Sequence, residues 1–106
     1  MQKNLMSCYA GLGDTLYKMG DSEGAYVKHA VAFRICEEVF GADGVNLLRA
    51  KYYALMAGDL EGLGNKTEAL QNYEKALKIV NKILEKDDEK QAKRLKTEVE
   101  AKIKEL

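Results

Sequence analysis

Residues 53–73, YALMAGDLEGLGNKTEALQNY, decide the fold because they hold two amphipathic helical patterns separated by a short turn. Before the turn and after it, apolar residues recur at spacings of three and four, which is the period of one helix face. Gly64 suits the end of a helix, and Asn65 followed by Glu68 resembles a capping box that starts the next helix near Lys66. The stretch therefore predicts two helices joined as a hairpin.

The same pattern occurs in residues 9–29, YAGLGDTLYKMGDSEGAYVKH. Aligning Gly20 with Gly64 gives a period of 64 − 20 = 44 residues. The positions that then match are Tyr9 with Tyr53, Leu12 with Met56, Gly13 with Ala57, Leu16 with Leu60, Ala25 with Ala69 and Ala32 with Ala76. Agreement across two helices and their turn predicts an internal repeat.

The remaining chain extends this pattern to five helical segments. In the first of them the predicted buried stripe is Leu5, Cys8, Tyr9, Leu12, Leu16 and Met19. In the fifth the apolar residues form one narrow stripe, Ala92, Leu95, Val99, Ile103 and Leu106, among charged residues. We predict one all-α domain over residues 1–106, built of two antiparallel helix-turn-helix hairpins, at about 6–43 and 47–86, and a capping helix at about 88–106 that covers the flank of helix 67–84.

The repeated positions resemble the tetratricopeptide signature. They read Tyr9-x2-Leu12-Gly13-x2-Leu16 with Ala25-x3-His29, and Tyr53-x2-Met56-Ala57-x2-Leu60 with Ala69-x3-Tyr73. The family's common period is about 34 residues, so a period of 44 is similar to the longer repeats of kinesin light chain. The small residues are predicted to let the two helices of each hairpin cross closely. His29 departs from the pattern, because an aromatic residue is expected there.

The resemblance implies that a protein partner binds along the concave surface formed by the first helix of each hairpin. The residues expected on that surface are Ser7, Ala10, Asp14, Tyr17, Lys51, Ala54, Gly58 and Glu61. With Ala10 and Asp14 at two positions where a carboxylate clamp needs cationic or amide donors, chaperone C-terminal tails are not expected as ligands. The alternative is that the surface faces another repeat, another subunit or the closing helix.

Composition excludes several classes of function. The 17 basic and 17 acidic residues balance, and the Lys-rich C-terminal segment lacks interleaved aromatic residues, so neither nucleic acid nor a membrane is an expected partner. No apolar run could span a bilayer, which favours a cytoplasmic protein. One histidine and two cysteines support no metal site, disulfide framework or cofactor. His29 is expected to be a hydrogen-bonded core residue rather than a pH switch, and Cys8 and Cys36 are expected to be small core hydrophobes.

These observations favour a protein-protein interaction module, a scaffold that binds a peptide or a partner helix. Two alternatives stay open: a self-assembly element that forms a homodimer because two hairpins are few for a repeat array, or a regulatory fragment of a larger repeat protein. No catalytic residues are predicted, since no nucleophile, acid–base pair or metal cluster occurs at catalytic spacing.

Overall fold

The computed structural model describes residues 2–42 and 44–106, and all regular structure in these ranges is helical. The helices are α1 (Gln2–Lys18), α2 (Ser22–Phe40), α3 (Leu47–Gly62), α4 (Lys66–Lys86) and α5 (Lys90–Glu105). Neighbouring helices pack as hairpins, α1 on α2 and α3 on α4, while α2 packs on α3 and α5 on α4. The predicted all-α hairpin fold is confirmed. Residue 43, the predicted end of the first repeat, lies outside the described residues.

The turn of the second hairpin depends on Gly64, whose φ of 82° is costly for any residue with a Cβ. That conformation lets the N–H of Asn65 donate to the carbonyl of Leu60 at 2.9 Å, which closes the end of α3. The Asn65 side chain then accepts from the N–H of Glu68 at 3.2 Å and starts α4. The capping box is therefore only half formed: the Asn65 N–H, which the Glu68 side chain would accept from, already donates to the Leu60 carbonyl. The equivalent residues of the first hairpin are Gly20, Asp21, Leu16 and Gly24.

Small residues lie at the helix crossings, as predicted. The alanines that are fully buried there are Ala25, Ala32, Ala57, Ala69 and Ala76. At Gly13 the approach is closer still, since a Cβ placed there would lie 2.5 Å from the ring of His29. The lack of a side chain at Gly13 thus makes room for the imidazole in the interior of the first hairpin.

The predicted buried stripe of α1 is wrong in part. Leu5, Leu12 and Met19 are 49%, 51% and 74% exposed, and Cys8 is also exposed, whereas Met6 is buried. The face that α1 buries is therefore rotated from the predicted stripe, because α1 packs mainly on α2 and its other flank has no neighbour among the described residues. Cys36 is buried as expected, and burial raises the pKa of its thiol.

Helix α5 packs chiefly against α4 and also touches α3. It begins after Glu89, whose side-chain carboxylate accepts from the N–H groups of Gln91 and Ala92 at 2.9 and 3.0 Å. Ala92 and Val99 are buried in the core formed with α3 and α4, and the other apolar members of the stripe are half-buried. The molecule measures 37 × 37 × 20 Å, so along its shortest dimension it is about two helices thick.

Candidate functional site

A groove of about 710 Å³ lies between α1, α3 and α5. Six of the predicted surface residues line it together, namely Asp14, Tyr17, Lys51, Ala54, Gly58 and Glu61. Ser7 and Ala10 do not line it: Ser7 is exposed, and Ala10 packs against the core cluster that contains Met6 and Tyr52. The groove therefore begins about two helical turns further along α1 than the sequence predicted, at Asp14 rather than at Ser7.

The far wall of the groove comes from α5, which the sequence assigned to covering α4 and named, without residues, as one possible neighbour of this surface. Its lining residues are Gln91, Arg94, Leu95, Glu98, Val99 and Lys102. The 44-residue period held the missing signal, because 51 + 44 = 95 places Leu95 in the position that Lys51 occupies on α3. Helix α5 thus stands where the first helix of a third hairpin would stand. The closing helix lines the groove and yet leaves it open, so the surface both faces that helix and has space for a partner.

The sequence also missed Asp59, which is only 1% exposed and lies on the floor of the groove. Its Oδ2 lies 2.5 Å from Nδ1 of His29, and the other ring nitrogen, Nε2, lies 2.9 Å from Oδ1 of Asp14. The three residues come from α3, α2 and α1, so this Asp14–His29–Asp59 cluster joins the two hairpins. Spacing along the chain could not reveal it, because each member lies on a different helix.

The surroundings of His29 in the cluster favour its protonated form. A neutral imidazole has one N–H donor, whereas two carboxylates flank this ring and each needs a donor. Burial alone lowers the pKa of His29, but the hydrogen bonds and charges of Asp59 and Asp14 outweigh it and raise the pKa above 6.5. Burial also raises the pKa of Asp59, against the opposing effect of His29. Both directions indicate that the folded cluster retains a proton.

The expectation that His29 is a hydrogen-bonded core residue is confirmed, since it is 1% exposed and contacts both carboxylates. Within the described residues, no group of three or more His, Cys, Asp or Glu side chains is arranged to hold a metal ion. In the same ranges no helix has the length and apolar character needed to cross a membrane.

The family model described as tetratricopeptide repeat matches residues 5–45 and 49–89, which together make up most of the chain. The chain belongs to the tetratricopeptide repeat family. The two matches begin 49 − 5 = 44 residues apart, which agrees with the long-period variant similar to kinesin light chain. No curated protein and no solved structure gives a significant match to the chain.

Comparing the two tetratricopeptide repeats explains the position of the buried cluster. In repeat two the aromatic position is filled by Tyr73, which is 3% exposed and belongs to the same core cluster as Ala57. In repeat one the same position holds His29, and Gly13 replaces the alanine, so a polar ring fits closely against α1. The residue that departs from the family pattern is therefore the one that links the repeats.

Proposed function

We propose that the protein is a non-catalytic scaffold of the cytoplasm that binds another protein by holding a peptide or a helix in the groove. The observation that carries this proposal is the set of groove residues, which come from the first helices of both repeats and from α5. Tetratricopeptide repeats generally mediate protein-protein interaction and are typically not enzymes. The groove is floored in part by small residues, Ala54 and Gly58, which leave space for a partner backbone.

Gly58 provides the test of this function. A Cβ at Gly58 would meet only the Tyr73 hydroxyl, at 3.8 Å, so a larger side chain would extend into the groove rather than into the core. We expect Gly58→Leu to abolish peptide binding while stability holds or rises, because leucine is a better helix former by about 0.5–1 kcal/mol. Ala69→Leu should instead destabilise the protein by about 1–3 kcal/mol, since Ala69 is fully buried at a helix crossing.

The experiment selects a displayed library of random peptides on the 106-residue chain and measures binding of the recovered peptides to both variants. Circular dichroism and thermal melting report on folding. Peptides that bind the wild type and lose binding to folded Gly58→Leu support the groove as the binding site. Equal binding to wild type and Gly58→Leu would contradict it.

A second candidate function is stacking against another helical hairpin, either a second copy or a further repeat. It is favoured by Leu12, which is 51% exposed, whereas its repeat-two equivalent Met56 is 6% exposed. Met56 is covered because α2 packs on α3, and no described helix covers Leu12 in that way. The oligomeric state in solution separates this candidate from the peptide-binding scaffold.

A further inference from the structure

The floor of the groove carries fixed carboxylates. Asp59 is buried, and its Oδ1 has no hydrogen-bond partner, while Oδ2 contacts His29. Glu61 also has a buried oxygen, Oε1, without a hydrogen-bond partner. A buried acceptor left unpaired costs free energy that a suitable donor would recover. Both residues line the groove, so the floor holds two unpaired acceptors that lie just beneath its surface.

The floor of the groove is acidic, whereas its rim carries exposed charges of both signs, including Glu98. On the floor, Asp59 and Glu61 carry carboxyl groups beside the imidazole of His29, and the half-exposed Asp14 adds a third carboxyl group at its edge. The basic residues of the groove are Lys18, Lys51, Arg94 and Lys102, all exposed. These four form no ion pair with another described residue, and their long side chains can turn outward to solvent at little cost. A ligand group that reaches the floor therefore meets negative charge held in place, with positive charge confined to the rim.

Aromatic groups border the same end of the groove. Tyr17 lines it and is 48% exposed, so its ring face is available to a ligand. Tyr73 lies beneath, and its pKa is raised first by burial and then by a side-chain hydrogen bond to Glu61 and the charge of that carboxylate. Tyr17 and Glu105 contribute to the same shift, which places these groups within electrostatic range of one another. Carboxylates beside an open aromatic ring suit a cation with an apolar stem.

We propose that this end of the groove binds a positively charged side chain, an arginine or a lysine, of the partner peptide. The unpaired oxygens of Asp59 and Glu61 accept its N–H groups, and Tyr17 packs on its stem. Gly58 leaves room for the long side chain to pass. The inference rests on the proposed peptide-binding function and adds the charge of the residue that the groove recognises.

The test is an NMR titration of the ¹⁵N-labelled full chain with N-acetyl-arginine N-methylamide. The matched neutral probe is N-acetyl-citrulline N-methylamide, which has nearly the same shape without the charge. We expect the arginine probe to give saturable shifts of the Gly58 and Glu61 amides, and the citrulline probe to give none. Glu61→Gln, which keeps the side-chain size, should weaken arginine binding by roughly tenfold.

Glu85→Gln serves as the control variant, because Glu85 is exposed on α4 and does not line the groove. It should leave arginine binding unchanged. Equal shifts with both probes, an absence of shifts, or unchanged binding in folded Glu61→Gln would each overturn the proposal. The proposed function fails by a different result. Peptides that depend on Gly58 but show no preference for a basic residue would contradict only the charge inference. An absence of Gly58-dependent peptides would contradict the peptide-binding function itself.

Discussion

At the scale of single residues, Gly13 and His29 explain how a polar ring is accommodated between two helices. The ring is held on both sides by Asp14 and Asp59, so it cannot move away from an added atom at Gly13. Replacing a glycine inside a helix by alanine normally stabilises by about 0.5–1 kcal/mol. At Gly13 the new Cβ would lie 2.5 Å from the ring, and this clash outweighs the gain in helix stability. We expect Gly13→Ala to destabilise by about 1–3 kcal/mol in urea unfolding.

Gly11→Ala is the matched control for this prediction. Gly11 lies in the same helix and is exposed. A Cβ added there would have no neighbouring atom within 4 Å. It should therefore gain the ordinary helix stabilisation of about 0.5–1 kcal/mol. If the two variants shift the urea midpoint in the same direction, the close fit between Gly13 and His29 is not what determines stability there.

His29 is the only histidine of the chain, so its ring signals can be followed by NMR without ambiguity. We expect the pKa of His29 to lie above 6.5. In Asp59→Asn this pKa should be lower, because the amide removes the charge that favours the imidazolium. Asp14→Asn should lower it less, since Asp14 is half exposed and its charge is better screened. A wild-type pKa at or below 6.5 would contradict this account.

The same cluster determines how stability depends on pH. The pKa of His29 is raised on folding, so its contribution is fully present below 6.5 and is lost as pH rises through the folded-state pKa. Stability should therefore fall from mildly acidic to mildly alkaline pH. In Asp59→Asn this decrease in stability should be smaller. Urea unfolding of both proteins at mildly acidic and at mildly alkaline pH measures the difference.

At the scale of helices, the sequence was sufficient for most of the fold but only for part of the site. Local signals predicted the helices and turns, because Gly64 and Asn65 act on neighbouring residues. The buried face of α1 could not be predicted, since it depends on which flank has a neighbour. Asp59 was missed for the same kind of reason: it lies one residue from Gly58 on α3, and only the packing of α2 on α3 makes it a partner of His29.

Helix α5 carries the main prediction at this scale. It buries Ala92 and Val99 against α3 and α4, and fully burying one side chain such as valine contributes about 1.5–3 kcal/mol. Small domains have only about 5–15 kcal/mol of stability in total. A chain that stops at Lys86 should melt at a much lower temperature, aggregate, or dimerise through the exposed face of α4. An unchanged melting temperature in a monomeric truncated chain would show that α5 does not act as a cap.

Val99→Asp tests the same idea in the full-length chain. A charge at a residue that is 1% exposed should release α5 from the core at a cost of several kcal/mol. Glu100→Asp is the control, because Glu100 is exposed on the same helix. Hydrogen exchange of the α5 amides should rise in Val99→Asp and stay at the wild-type level in the control.

At the scale of the whole molecule, the uncovered flank of α1 decides whether the chain acts alone or in pairs. Leu5, Leu12 and Met19 lie seven residues apart on that flank and are all substantially exposed. Stable interfaces bury about 800 Å² on each partner, and three partly exposed side chains provide only a fraction of that area. We therefore expect a monomer at low concentration and weak association at high concentration. Sedimentation velocity over a wide range of concentration measures both.

Leu12→Lys should abolish the weak association, because it places a charge at the centre of the exposed flank. Leu63→Lys is the matched control: Leu63 is 48% exposed but caps α3 and is not part of α1, so association should persist. A dimer that survives dilution and is broken by Leu12→Lys alone would favour the assembly function over the peptide-binding scaffold. In that outcome the covered surface would be the α1 flank, and the groove between α1, α3 and α5 would still be open, since none of these three flank residues lines it.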